Sequence, residues 1–195
     1  MIQDPDYQRV KKAQSGDKAA FGELVNLYYE MIYAVAYGVL GNHEAARDVV
    51  QEVFLKAYRQ IAKFEGKSKF KTWLYRVAMN AAIDSHRRKH PAESIDPTDV
   101  SDEEDTAPSI IVDPGLSPRD LAAQTELSDL WKQALKQLSA EHRAVLVLRE
   151  WDGLSYEEIA ETLQLEMGTV MSRLFYARKK LAEILGPKLG RKQNA

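Results

Sequence analysis

The stretch from Pro91 to Pro118, PAESIDPTDVSDEEDTAPSIIVDPGLSP, carries eight acids and not one Lys or Arg. Rich in Pro, Asp, Glu and Ser, it lacks the apolar side chains to bury a core, and like-charge repulsion favours an extended chain. Ile110-Ile111-Val112 is its one apolar island. The segment therefore splits the 195 residues into two flanks that must fold around cores of their own. Both flanks show helical periodicity, so the expectation is an all-α protein. Two small helical domains, 1–90 and 119–195, would be joined by an acidic flexible linker, 91–118.

In the first flank, residues 5–14 suit a short helix, and Asp17 is placed to cap a long one reaching about Leu40. Phe21, Leu24, Val25, Tyr28, Ile32, Val35, Ala36 and Val39 recur at three- and four-residue spacing, a stripe that faces a core. Tyr29, Tyr33 and Tyr37 share that helix, where aromatics at helical spacing read as packing. Gly41-Asn42 stops the helix, and Asn42 caps the next, about 43–62. That helix hides Ala46, Val50, Val53, Ala57 and Ile61. Asp48, Glu52, Leu55 and Arg59 form the opposite stripe, an acidic surface with one leucine, as a protein-docking face would have. FEGKSKFK, 64–71, breaks the helix at Gly66 and sets Lys63, Lys67, Lys69 and Lys71 around Phe64 and Phe70. A further helix through Trp73, Leu74, Val77, Ala78, Ala81, Ala82 and Ile83 ends in the basic run 86–90.

Charge is strongly segregated although the net is −2. Residues 56–89 hold ten Lys/Arg against two acids, and 168–192 hold seven against one. Two separated basic patches point to nucleic acid. The first patch has the side chains for this: lysines can hold phosphates, and exposed aromatics can stack on unpaired bases. An acidic linker would compete with DNA for these patches; unchanged DNA affinity at low salt after its deletion would refute that idea.

In the second flank Leu121, Leu127, Leu130, Trp131, Ala134, Leu135 and Leu138 form one helical pattern. Val145, Leu146 and Leu148 belong to the next, which ends near Trp151-Asp152-Gly153. Ser155-Tyr156-Glu157-Glu158 has the form of a capping box. Ile159, Ala160 and Leu163 form the buried face of its helix. A short turn follows, with Thr169 placed to cap a second helix that buries Val170, Leu174, Ala177 and Leu181. Met171, Ser172, Arg173, Phe175, Tyr176, Arg178 and Lys179 stay outside. Two short helices, a tight turn and a basic second helix describe a helix-turn-helix, whose second helix enters the major groove.

Several chemistries are excluded or unsupported. With no cysteine, thiol and cysteine-zinc chemistry are absent. His86 and His90 stand four apart, without the carboxylate pattern that would complete a metal set, so no metal or cofactor is expected. No P-loop or catalytic triad is present, and the chain is expected not to be an enzyme. The polar N-terminus and the lack of a long apolar run predict a cytoplasmic protein with no membrane insertion.

Four motifs together resemble one family. DVVQEVFLKAY (48–58), FKTWLYRVAMNAAID (70–84), LREWDGLSYEEIAETL (148–163) and GTVMSRLFYARKKL (168–181) are similar to extracytoplasmic-function (ECF) sigma factors, promoter-specificity subunits of bacterial RNA polymerase within the sigma-70 family. The resemblance implies a region 2-like domain at 1–90 and a region 4-like domain at 119–195. It implies that Asp48, Gln51, Glu52, Phe54 and Leu55 bind core RNA polymerase. The −10 element of promoter DNA would be melted and captured by Phe64, Lys67, Lys69, Phe70, Lys71, Trp73, Arg76 and Asn80. Thr169, Met171, Ser172, Arg173, Phe175, Tyr176, Arg178 and Lys179 would bind the −35 element as duplex. It also implies control by an anti-sigma factor. Met171 and Tyr176 depart from the family's usual Lys or Arg, which shifts −35 affinity onto Arg173, Arg178 and Lys179. The alternative is a helix-turn-helix regulator that never joins polymerase; it leaves the 48–58 and 64–80 motifs without a purpose.

Overall fold

A computed structural model describes residues 4–90 and 133–189. The linker, its apolar island and the pattern from Leu121 to Trp131 lie outside the described residues. Among the described residues the fold is all-α, as expected.

The first flank contains α1 (Tyr7–Gln14), α2 (Lys18–Leu40), α3 (His43–Gln60), a 3-10 turn (Ile61–Lys63) and α4 (Phe70–Lys89). Asp17 accepts from Ala19 and Ala20 N–H groups at 2.9 and 3.1 Å, closing the start of α2. Gly41 ends α2 in the left-handed region at φ 63°, a conformation glycine adopts without a Cβ penalty. Asn42 Oδ1 then accepts from the Ala45 N–H at 2.9 Å. The two helices thus turn back on each other without a loop.

Leu24, Tyr28, Ile32, Val35, Ala36 and Val39 of α2 are buried against Val50, Val53 and Ala57 of α3 and Leu74, Ala78 and Ala82 of α4. Phe21 and Val25 are only half-buried. Tyr33 and Tyr37 are half-buried and pack against the edge of the core, as expected, while Tyr29 is exposed. The three rings run along the helix as a stacked ladder that ends on His43, with Tyr37 and His43 rings 4.4 Å apart.

The second flank contains a helical stretch at 133–135, then α5 (Ala140–Glu150), α6 (Tyr156–Leu163) and α7 (Met167–Leu189). Both halves of the capping box form: Ser155 Oγ accepts from the Glu158 N–H, and Glu158 accepts from the Ser155 N–H. Gln164 takes the left-handed conformation at φ 55° and turns the chain into α7. That helix begins at Met167, so Thr169 lies inside its first turn rather than capping it; the Glu166 carbonyl accepts the Thr169 N–H instead.

The second flank keeps a small core of its own, in which Leu135, Leu138, Leu146, Ala177, Leu181 and Leu185 pack together, but the flanks do not have the separate packing expected of them. Val147 and Leu148 of α5, Ile159 of α6 and Val170 and Leu174 of α7 belong to the same buried cluster as α2, α3 and α4. α2 and α5 cross at Gly38, where a Cβ would sit 2.6 Å from the Trp151 ring and 2.7 Å from a Val147 methyl. Only a glycine admits that approach.

Candidate functional site

The outward face of α3 carries Asp48, Gln51, Glu52 and Leu55, all exposed, with Leu55 at 50%. Phe54 is half-buried and packs against the core beneath them. Glu52 lies 3.9 Å from Arg88 of α4, a loose exposed pair worth little by itself. The stripe is an acidic rim around one apolar knob, as its spacing predicts.

The loop between the 3-10 turn and α4 is held at both ends by the first fourteen residues. Gln14 Nε2 donates to the carbonyls of Ile61 and Phe64 at 3.0 and 2.7 Å. Asp4 accepts from the Phe70 N–H at 2.7 Å and so supplies the α4 cap that Lys69, with no side-chain cap bond, does not. Sequence reasoning missed both, because they join residues 47 to 66 positions apart. Above this frame Phe64, Phe70 and Trp73 form a ring cluster with centroids 5.3–5.8 Å apart.

The cluster's members play different parts. Phe70 is 1% exposed and packs on Tyr28; it is the floor and cannot itself offer a face to a base. Phe64 and Trp73 are half-buried and keep ring surface at the rim. Burial, reinforced by the Asp6 carboxylate that Tyr28 donates to, pushes the Tyr28 phenol well above its usual range. That phenol stays a neutral donor beneath the floor. Lys67 and Lys69 are exposed, and Lys67 pairs with Glu65 at 2.5 Å. Lys71 lies over the Tyr75 ring, 5.5 Å from its centroid.

Arg76 and Asn80, one and two turns further along α4, face the other flank. Arg76 Nη2 donates to the Glu161 carbonyl at 3.1 Å. Asn80 joins Lys56, Asp84, Arg87, Glu141 and Arg173 around a cleft of about 370 Å³ on the seam between the flanks. Arg76 and Arg173, expected on two separate DNA-reading surfaces, therefore both lie at this seam.

The seam is built from buried polar contacts. Tyr75 donates to Asp152 at 2.8 Å. Burial raises the Asp152 carboxyl above the ordinary aspartate range although Tyr75 and Lys71 oppose it. Arg143, 3% exposed, donates to the Val39 and Leu138 carbonyls at 2.7 and 3.0 Å and approaches His86 Nε2 at 2.8 Å. Because guanidinium only donates, His86 Nε2 must be the acceptor. Arg87 pairs with Glu141. Burial works to raise Glu141, but backbone hydrogen bonding and Arg87 outweigh it and hold the carboxyl below its usual range. A signal for Arg143 existed: it precedes Leu146 and Val147 by three and four residues, which places it on the buried face.

On α7, Val170, Leu174, Ala177 and Leu181 face inward at 0–2% exposure. Met171 and Lys179 are exposed, and Thr169, Ser172, Arg173, Phe175, Tyr176 and Arg178 are half-buried. Arg178 grips Glu150 of α5 with two contacts to one carboxylate oxygen, at 3.2 and 2.9 Å. The glutamate raises the arginine's basicity against the lowering effect of burial. Arg178 thus ties α7 to α5 and is withdrawn from the face where it was expected.

The chain is similar to known proteins over most of its length. Sigma-70 region 2 matches residues 24–91, and Sigma-70, region 4 matches residues 128–181. The chain is 39% identical over 178 residues to the ECF RNA polymerase sigma factor SigW of Bacillus subtilis, covering 91% of this chain and 95% of that one. It is 38% identical to the RNA polymerase sigma-H factor of Pseudomonas aeruginosa, covering 97% and 98%. Among solved structures, CnrH in complex with the cytosolic domain of CnrY superposes with a TM-score of 0.67 at 26% identity, covering 94% of this chain and 99% of that one. The sigma factor RpoE in complex with the anti-sigma factor NepR from Bartonella quintana gives 0.60 at 26% identity, covering 85% and 96%. Matched by both sigma-70 region models and by relatives 38–39% identical over more than nine-tenths of its length, the chain belongs to the ECF RNA polymerase sigma factors of the sigma-70 family.

Proposed function

We propose that this chain docks on core RNA polymerase through Asp48, Gln51, Glu52 and Leu55 and directs it to promoters. Residues 1–90 and 119–195 act as the two DNA-reading domains, joined by 91–118. The single observation that carries this reading is the pairing on one helical body of an exposed acidic stripe with an aromatic rim flanked by lysines. One face suits a protein and the other suits single-stranded DNA. Phe64 and Trp73 stack on an unpaired base of the −10 element, Phe70 supports them from below, and Lys67 and Lys69 hold the backbone. Stacking is worth about 1–3 kcal/mol per base and offsets the few kcal/mol that flipping costs. Promoter melting is driven by binding, with no bond made or broken by this chain. The α7 face binds the −35 element as duplex.

The two elements lie about 25 base pairs apart, on the order of 85 Å along the duplex. Flanks in contact through Arg76 and Glu161 cannot reach both, so the seam opens when promoter is bound. The sigma factor RpoE of Bartonella quintana, similar to this chain, was solved with an anti-sigma factor. We infer that a protein inhibitor of the same class holds this chain inactive. Among the described residues no helix is long and apolar enough to cross a membrane, which fits action beside polymerase in the cytoplasm.

Transcription with core polymerase on a promoter selected by the holoenzyme tests the reading; it predicts promoter-dependent initiation. Glu52→Lys or Leu55→Ala should weaken core binding. Trp73→Ala should spare core binding and reduce permanganate reactivity of bubble thymines. Initiation by core polymerase that is indifferent to the chain would refute the reading.

A further inference from the structure

Over its first two turns the reading face of α7 is short of polar groups that reach outward. In helical projection the side opposite Val170, Leu174, Ala177 and Leu181 presents Gly168, Ser172, Phe175, Tyr176 and Lys179, with Met171 on its flank. Arg178 is occupied by Glu150, and Arg173 lines the seam cleft while the flanks are in contact, so it becomes available to DNA only when the seam opens. Ser172 spends its hydroxyl hydrogen on the Thr169 carbonyl at 3.1 Å. Lys179, one turn beyond Phe175, lies 5.9 Å from the Phe175 ring centroid. Within the first two turns, the part of such a helix that meets base edges, the side chain most open to solvent is Met171 at 50% exposure. Phe175 lies one turn on, along the same side.

A thioether and a ring cannot donate to guanine, and a thioether sulfur is only a weak acceptor toward cytosine. The one apolar feature on a base edge in the major groove is the C5-methyl of thymine. Gly168 leaves room beside them: a Cβ there would meet nothing within 4 Å, so the helix start can approach the duplex closely. Resting on the proposed −35 duplex role of α7, we infer that Met171, supported by Phe175, selects thymine at one or two positions of that element by packing on its methyl. Recognition by this chain is correspondingly apolar where a Lys or Arg would read guanine.

The test uses holoenzyme assembled from the full chain and core polymerase, with fluorescent duplexes selected from a pool randomised across the −35 segment. Replacing one thymine at a time with uracil removes only the methyl. A buried methyl is worth about a fourfold change in affinity, so uracil at the read position should weaken wild-type binding about fourfold. Met171→Ala should abolish that difference, and Met171→Lys should shift selection toward guanine with a steeper salt dependence. Selected sites without thymine, or uracil tolerated at every position, would overturn the inference while leaving duplex binding intact. A uracil effect undiminished in Met171→Ala would do the same. Failure to bind any duplex would instead remove the −35 role itself.

Discussion

Arg143 Nη1 donates to the backbone carbonyl of Val39 at 2.7 Å, joining the second flank to the last turn of α2. The same guanidinium also serves the Leu138 carbonyl and His86, so one buried side chain satisfies three acceptors on three segments.

Arg143→Met should keep the volume and leave those acceptors unpaired. A buried unsatisfied group costs about 1–3 kcal/mol, so the variant should lose at least about 2 kcal/mol in urea unfolding. The flanks should also separate, read by energy transfer between dyes at exposed positions of α1 and α7. An unaltered urea midpoint and unchanged transfer would show that Arg143 does not hold the seam.

Gly38→Ala sets two effects against each other. Alanine favours a helix interior over glycine by about 1 kcal/mol. Against that, its methyl would meet Val147, which is 1% exposed and has nowhere to go. Overpacking of this kind costs about 1–3 kcal/mol. The expected outcome is a looser seam and faster hydrogen exchange in α5, despite a better helix former in α2.

Asp152 gives the seam a pH dependence. Burial raises its carboxyl above the ordinary aspartate value of 3.8. A folded-state value above the unfolded one means a contribution that is complete below the unfolded value and lost as pH rises through the folded value. Asp152→Asn keeps an oxygen for Tyr75 and cannot titrate. Relative to this variant, the wild type should therefore lose stability on going from acid to neutral pH. Glu141, held below its usual value, has the opposite sign and is common to both proteins, so the difference between them isolates Asp152. A pH-independent difference would contradict the assignment.

Asp4→Ala removes a helix cap, an effect of about 1 kcal/mol, and should loosen the loop from 64 to 70. We expect faster amide exchange at Phe70 and slower promoter opening, with core binding unchanged. Asp4→Asn, which retains an acceptor, should recover most of the loss. Gln14→Ala should loosen the Phe64 end of the same loop, and the two variants together should exceed either alone.

Local chemistry made much of this protein legible. The Asp17, Asn42 and Ser155 caps, the Gly41 stop and the inward stripes of α2, α3 and α7 follow from spacing and side-chain type, which act within a turn or two. The exposed Asp48–Leu55 stripe came from the same arithmetic, and four linked motifs carried the family. Thr169 shows the limit of that arithmetic: a good capping residue lies inside the first turn because Glu166 already supplies the start of α7.

Tertiary structure alone decided which like residues do unlike things. Phe64 and Phe70 have similar sequence surroundings, yet Tyr28 beneath Phe70 makes one a floor and leaves the other at the rim. Arg178 and Lys179 are neighbours, yet Glu150 captures the first. Asp4, Gln14 and Arg143 hydrogen-bond to backbone groups 47 to 104 residues away, Asp4 as acceptor and the other two as donors. No local pattern encodes such partners, because hydrogen bonding depends on distance in space and not along the chain.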